Sequence, residues 1–164
     1  IFPNDFDNPE DPLSGVKFQR KWERKAFLIG GPEGHAPAQL LGDFMQNKTS
    51  TSLGEVSPSY RPGVVLTDLR ECLPNYVIET MKKAVSRVSN QIPGFDRKDA
   101  ILTAAETRSS SPLRINRKPS YQSPSLKGLY PAGEGAGYAG GILSAAVDGF
   151  RVAQAVNLNI ESSQ

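Results

Sequence analysis

Residues 128–141 read GLYPAGEGAGYAGG, and six of the fourteen are glycine. Gly135, Gly137 and Gly140 fit the spacing G-x-G-x-x-G, ahead of a run of small and apolar residues that reaches Val156. Glycine has no Cβ, so the backbone there can approach a flat or charged ligand closely. The first amides of a helix have no intrahelical acceptor and carry partial positive charge, worth about 0.3–1 kcal/mol to a nearby anion. The spacing alone has a second explanation, because glycines also permit tight packing of a helix on a sheet. The usual dinucleotide fingerprint further requires a second strand with an acidic residue about 20 residues on. Only 24 residues follow Gly140, they end in NLNIESSQ, and none forms an apolar strand. The turn is therefore read as a late strand–turn–helix joining a sheet already built, not as the opening of a dinucleotide-binding domain. A side chain at Gly137 is expected to occupy ligand space.

A second group of chemically capable residues is ETRSSSPLR, residues 106–114, with Glu106, Arg108, Ser110, Ser111 and Arg114. A guanidinium can grip a carboxylate through two parallel N–H donors, and serines can donate to the same ligand. The competing reading is a turn with a surface ion pair, worth less than about 1 kcal/mol. His35 is the only histidine, which excludes a multi-histidine metal cluster and a two-histidine dyad. In GPEGHAPAQ it reads as a loop or capping residue, with general acid–base work as the alternative. Cys72 is the only cysteine, so no internal disulfide and no CxxC exchange are available, and it reads as a small apolar filler. Tyr60 and Arg61 in SPSYRPGV either line a substrate mouth or belong to a proline-anchored loop. Asp43, Asp68 and Asp99 are not paired by any spacing.

The balance of charges narrows the classes. Nineteen Lys and Arg against seventeen Asp and Glu leave a net +2, with no basic stripe of the kind that follows nucleic acid. The basic run KFQRKWERK is interrupted by Glu23 and reads as a solvated face. No apolar run approaches the roughly 18 residues of a membrane span. The lone cysteine points weakly to a reducing compartment, and no secretory signal pattern is present. Because Ile1 stands where an initiator methionine would, the chain is read as a processed product or a piece of a longer one. Walker A and G-x-S-x-G patterns are absent.

The elements that must position these groups are legible in part. Residues 1–16, rich in Pro, Asp and Asn, are irregular. Residues 17–30 form a helix that ends at the Gly30–Gly31 pair, with a strand over 26–29 as the rival. Pro37 opens a helix carrying Leu40, Leu41, Phe44 and Met45. Residues 49–63 form a loop and 64–66 a short strand. Residues 74–91 form an amphipathic helix with Val77, Ile78, Met81, Ala84, Val85 and Val88 on one face. Short extended segments are expected at 100–108, 111–115 and 128–134, then a helix over about 140–156. The seam between a mixed region and a strand-rich one is placed near residue 100.

The segment GLYPAGEGAGYAGGILSAAVDGFRVAQAV closely resembles the C-terminal flavin-contacting part of a family of FAD-dependent dehydrogenases, the FAD/NAD-utilising dehydrogenases of bacteria and plastid-bearing eukaryotes. DPLSGVKFQRKWERKAFLIGG, HAPAQLLGDF, SYRPGVVLTDLRECLPNYVIE, GFDRKDAILTAAETRSSSPLRI and QSPSLKGLYPAGEGAGYAGG are similar to that family in the same order, so the resemblance covers about 11–157. It implies an α+β chain. Residues 1–100 would be the later part of an inserted substrate domain. Residues 101–164 would be the strand–turn–helix that completes a Rossmann-like FAD-binding domain. It also implies FAD as cofactor, NAD(P)H as an electron donor and a small-molecule substrate. The family's ADP-binding fingerprint is absent here, so the missing N-terminal half is an expected partner. Carried over by position, Gly133, Glu134, Gly135, Ala136, Gly137, Tyr138, Ala139, Gly140, Gly141 and Ile142 contact the cofactor, with Glu134 accepting hydrogen bonds from the ribityl chain or nearby backbone. Arg108, Ser110, Ser111 and Arg114 face substrate or flavin. The family's range implies bacterial cytoplasm or plastid stroma. The alternative is a non-catalytic interaction module that binds no FAD by itself.

Overall fold

A computed structural model describes residues 3–108 and 110–162 of the chain. Helix α1 spans Ser14–Gly30 and is followed by strand β1 (Ala36–Leu40), helix α2 (Leu41–Met45) and strand β2 (Val64–Leu66). Helix α3 (Asn75–Ser89), strand β3 (Ile101–Thr103) and helix α4 (Ile142–Glu161) complete the order. The fold is α+β. It divides into two compact units, one of residues 19–107 and one combining 1–18 with 108–164.

The 19–107 unit is built on a three-stranded sheet in the order β2-β1-β3. β1 pairs in parallel with β2, placing Ala36 beside Val64 and Ala38 beside Leu66. It pairs antiparallel with β3, placing Ala38 beside Thr103 and Leu40 beside Ile101. The core beneath holds Ala26, Leu41, Phe44, Leu69, Cys72, Ile78 and Val85. Ile78 and Val85 come from the apolar face of α3, about two helical turns apart, whereas Ala84 is exposed. Burial pushes the Cys72 thiol up to about 11, so it is un-ionised and packs as a small apolar group.

Two buried polar side chains tie the central strand to its surroundings. Gln39 Nε2 donates to Lys48 O at 2.6 Å, and its Oε1 accepts from Leu69 N at 3.0 Å. Ser50 Oγ accepts from Leu40 N at 2.8 Å and donates to Asp43 Oδ2 at 2.7 Å. With Ser50 only 1 % exposed, Ser50→Ala strands both partners. A loss of about 1–3 kcal/mol is expected, read as a lower denaturant midpoint at unchanged slope.

Pro37 does not open a helix. It lies in the middle of β1, and the helix begins only at Leu41. A proline is unusual in a central strand because it cannot donate to the ladder. Here its carbonyl accepts from Ala104 N at 3.0 Å, and strand neighbours on both sides outweigh the local preference. The expected extended segment at 100–108 narrows to 101–103. Residues 111–115 and 128–134 form no strand. Their polar backbone groups are instead satisfied in turns and by side chains: Ser123 N donates to Leu129 O, Arg117 to Pro131 O, and Tyr138 N to Gly133 O.

In the second unit, Phe6 and Phe18 pack at 5.8 Å between ring centroids. Ile115 N donates to Ala136 O at 3.1 Å, joining the 111–115 segment to the glycine turn.

Candidate functional site

The glycine turn folds on itself through two backbone bonds, Gly137 N to Glu134 O at 2.9 Å and Tyr138 N to Gly133 O at 3.0 Å. Gly133 and Gly137 have φ of +67° and +80°, the left-handed region that side-chain-bearing residues avoid. At Gly133 and Gly135 a Cβ would meet no other part of the chain within 4 Å. These two positions are open space on one side. Gly137 differs: its Cβ would lie 2.5 Å from Leu113 O and 3.0 Å from Arg114 Cα. The bareness expected there for a ligand is required by the chain's own 113–114 backbone. At Gly140 a Cβ would come 3.4 Å from Ser110 Oγ.

Gly141 is the N-cap of α4, and no side chain caps the helix amides. Ser144 Oγ turns back instead, accepting from Gly141 N and donating to Gly141 O. The head of the helix is solvent-facing, with Ile142 91 % and Leu143 81 % exposed. Farther along α4, Val147, Phe150, Leu158 and Ile160 are also exposed, and Val152 is the one fully buried residue among those described.

Several residues assigned from the sequence converge on this turn. Arg114 Nε donates to Gly137 O at 3.1 Å, and its guanidinium lies 4.6 Å from the Tyr138 ring centre. Ser111 Oγ lies 2.8 Å from Leu113 O and 3.3 Å from Gly135 O. Ser110 sits beside Gly140. Glu134 is exposed and holds the turn through its carbonyl, and Ala136 is buried. Arg108 is exposed at the start of the 108–164 stretch.

Two residues that hold the turn escaped the sequence reading. Arg117 makes a paired contact with Asp148, Nη2 to Oδ1 at 2.6 Å and Nη1 to Oδ2 at 2.9 Å, with both side chains about nine-tenths buried. Asp148 Oδ2 also accepts from Gly133 N at 2.8 Å. The Arg117 guanidinium lies 3.6 Å from the Tyr138 ring centre and 4.6 Å from that of Tyr121. Its bond to Asp148, aided by Gly133 N–H, holds that carboxyl down at about 2. The signal for Asp148 was available: it is the one acid between Ile142 and Ile160, in an otherwise mostly apolar helix.

The 19–107 unit carries a separate cleft of about 480 Å³. Glu23, His35, Tyr60 and Glu106 line it, with Phe27 and Pro37 among its apolar walls. Tyr60 borders this cleft. Glu23 comes from the run that reads as a solvated face.

A family model described as "FAD-dependent protein, C-terminal domain-like" matches residues 1–109, two thirds of the chain. The chain belongs to this family. Its match covers the 19–107 unit and stops before the glycine turn. An uncharacterized protein of Clostridium beijerinckii is 52 % identical over 154 residues, 94 % of this chain and 29 % of that protein. The chain thus spans less than a third of this relative's length. FAD, of the two cofactors implied by the sequence resemblance, is the one the family description names. Among the described residues no helix is long and apolar enough to cross a membrane, and no group of three or more His, Cys, Asp or Glu is placed to hold a metal ion.

Proposed function

We propose that the chain is the C-terminal portion of an FAD-dependent oxidoreductase and supplies the turn that lies along the flavin's edge. The carrying observation is the open space over Gly133 and Gly135 at the head of a solvent-facing helix, in a chain of an FAD-dependent family. The donor set fits the group. The amides of Gly133, Gly137, Tyr138 and Gly141 are engaged within the chain, so polar ring atoms would be met by the other amides between Glu134 and Ile142, and the start of α4 favours negative charge there. A bound flavin would supply hydride or electron transfer with a small-molecule substrate.

The residues of this chain act by shape and charge. Gly133 and Gly135 leave room for a planar ligand, and Glu134 offers a carboxylate to hydrogen-bond donors on it. Arg114 and Arg108 provide positive charge for substrate or cofactor, with Ser110 and Ser111 as neighbouring donors. The exposed apolar residues of α4 support a place for that helix within the larger Rossmann-like domain, since a helix apolar on most faces belongs in a core. Residues 1–100 are assigned to the substrate domain and 101–164 to the flavin domain.

Gly135→Val in the complete protein tests the reading. A Cβ at this position meets nothing in the chain, so the fold tolerates it while ligand space is lost. The expected result is loss of bound FAD, read by visible absorbance, with a melting temperature equal to that of the wild-type protein stripped of FAD. Full FAD content in the folded variant would refute the assignment.

A further inference from the structure

We infer that a second cleft of the 19–107 unit binds a small hydroxy-carboxylic acid, its carboxylate held by Arg61 and its hydroxyl groups by Ser57, Ser59 and Thr103. The inference is independent of the flavin assignment.

The cleft measures about 500 Å³, the size of a small-molecule site. It is assembled from both edges of the sheet. The 56–61 loop leads into β2 at one edge, and Ile101 and Thr103 come from β3 at the other. Ile101 and Thr103 are alternate residues of a strand, so their side chains leave the same face. The loop is tied down just before the cleft. Glu55 Oε2 accepts from Arg97 Nη2 at 3.3 Å, and Arg97 also grips Asp99, two residues ahead of β3.

Arg61 is the one charged residue lining this cleft. Its guanidinium has no hydrogen bond or ion pair among the described residues. The acid nearest to it in sequence, Glu55, is held by Arg97 instead. An uncompensated guanidinium selects for an anion, and its planar fork matches a carboxylate through two parallel N–H donors. One guanidinium neutralises one carboxylate. A phosphate monoester carries close to two negative charges at neutral pH and would be left partly uncompensated. Four of the eight lining residues bear hydroxyl groups, and none of those hydroxyls is engaged among the described residues. Each can donate and accept, so together they match hydroxyls on a ligand. Val56, Pro58 and Ile101 supply apolar wall for its carbon chain. A plain fatty acid uses the cation and the wall but not the hydroxyls; a neutral polyol uses the hydroxyls but not the cation. A hydroxy acid uses all three.

The test is titration of the complete protein with gluconate, hexanoate, sorbitol and sorbitol 6-phosphate, followed by calorimetry or ligand-observed NMR. These probes share a six-carbon chain and differ in charge and hydroxyl content. Saturable binding is expected for gluconate, weaker binding for hexanoate and for sorbitol 6-phosphate, and none for sorbitol. Arg61→Gln should weaken gluconate by on the order of tenfold. Arg61 is exposed and unpaired among the described residues, so this variant keeps the fold. Replacing Ser57 and Ser59 together by alanine should weaken gluconate about threefold and leave hexanoate unchanged. Arg87→Gln, exposed on α3, is the control for general surface charge and should leave gluconate affinity as it is. Absence of saturable gluconate binding, tighter binding of hexanoate or sorbitol 6-phosphate, or undiminished gluconate affinity in Arg61→Gln would overturn the inference. So would an equal loss in Arg87→Gln. Because binding is read without flavin absorbance, its failure is distinct from failure of the FAD assignment.

Discussion

Gly30→Ala is expected to destabilise the 19–107 unit by about 3 kcal/mol or more, beyond the usual 1–3 kcal/mol of an overpacked site. Gly30 is the last residue of α1, and the chain reverses over the next five residues to enter β1. The reversal brings His35 O to 1.8 Å from where an alanine Cβ would stand, and His35 C to 2.8 Å. Both are backbone atoms, so no side-chain rotation relieves the clash. Ala36 N, next in the chain, donates to Gly63 O, so the movement that relieved the clash would pull β1 away from the strand beside it. Chemical denaturation should show the loss as a lower midpoint. The neighbouring Gly34 serves as the control. A Cβ there meets nothing within 4 Å, so Gly34→Ala carries only the cost of its left-handed φ of +75°, roughly 1 kcal/mol. Equal losses in the two variants would show that close approach at Gly30 is not the cause.

Arg117→Leu is expected to cost about 3 kcal/mol, because it leaves the Asp148 carboxylate largely buried with its main partner gone. The loss should be greatest near neutral pH. Asp148 has its pKa depressed to about 2 in the folded protein, against about 3.9 in an unfolded chain. A depressed carboxylate contributes stability that is present above the unfolded value and is lost as pH falls through the folded one. The contribution, about 2 kcal/mol, should therefore be complete above about pH 5 and disappear between about pH 4 and 2. Melting temperatures of wild type and Arg117→Leu should converge over that acid range. A gap that stays constant from pH 7 to pH 2 would contradict the ion pair as its source. Since Asp148 also holds Gly133 N, the proposed function predicts that Arg117→Leu lowers FAD content together with stability.

Local pattern carried much of the secondary structure. The apolar stripe of α3 is set by residues within one helix, and periodicity reports it without knowledge of the rest of the chain. The end of α1 at the Gly30–Gly31 pair, the strand at 64–66 and the loop before it are equally local. β1 is not. Ala36–Leu40 contains a proline and alanines, and it is a strand because Val64–Leu66 and Ile101–Thr103 pair with it from 25 residues or more away. The segment 128–134 shows the opposite case. It has an apolar start and glycine punctuation, yet its backbone groups find turn and side-chain partners and no ladder.

The sequence by itself determined the class of candidate chemistry: a glycine-rich turn at 128–141 ahead of an apolar helix, a resemblance to FAD-dependent proteins, and a lone cysteine with no redox partner. Glycine content and helical periodicity are properties of neighbours in the chain. Only the tertiary structure decided which glycines are bare for space and which for packing, since Gly135 opens outward while Gly137 lies against Leu113 and Arg114. It alone joined Arg117 to Asp148 across 31 residues and gathered Glu23, His35, Tyr60 and Glu106 around one cleft. Hydrogen bonds and cavities depend on distances of a few ångströms between residues far apart in sequence, and no one-dimensional spacing encodes those.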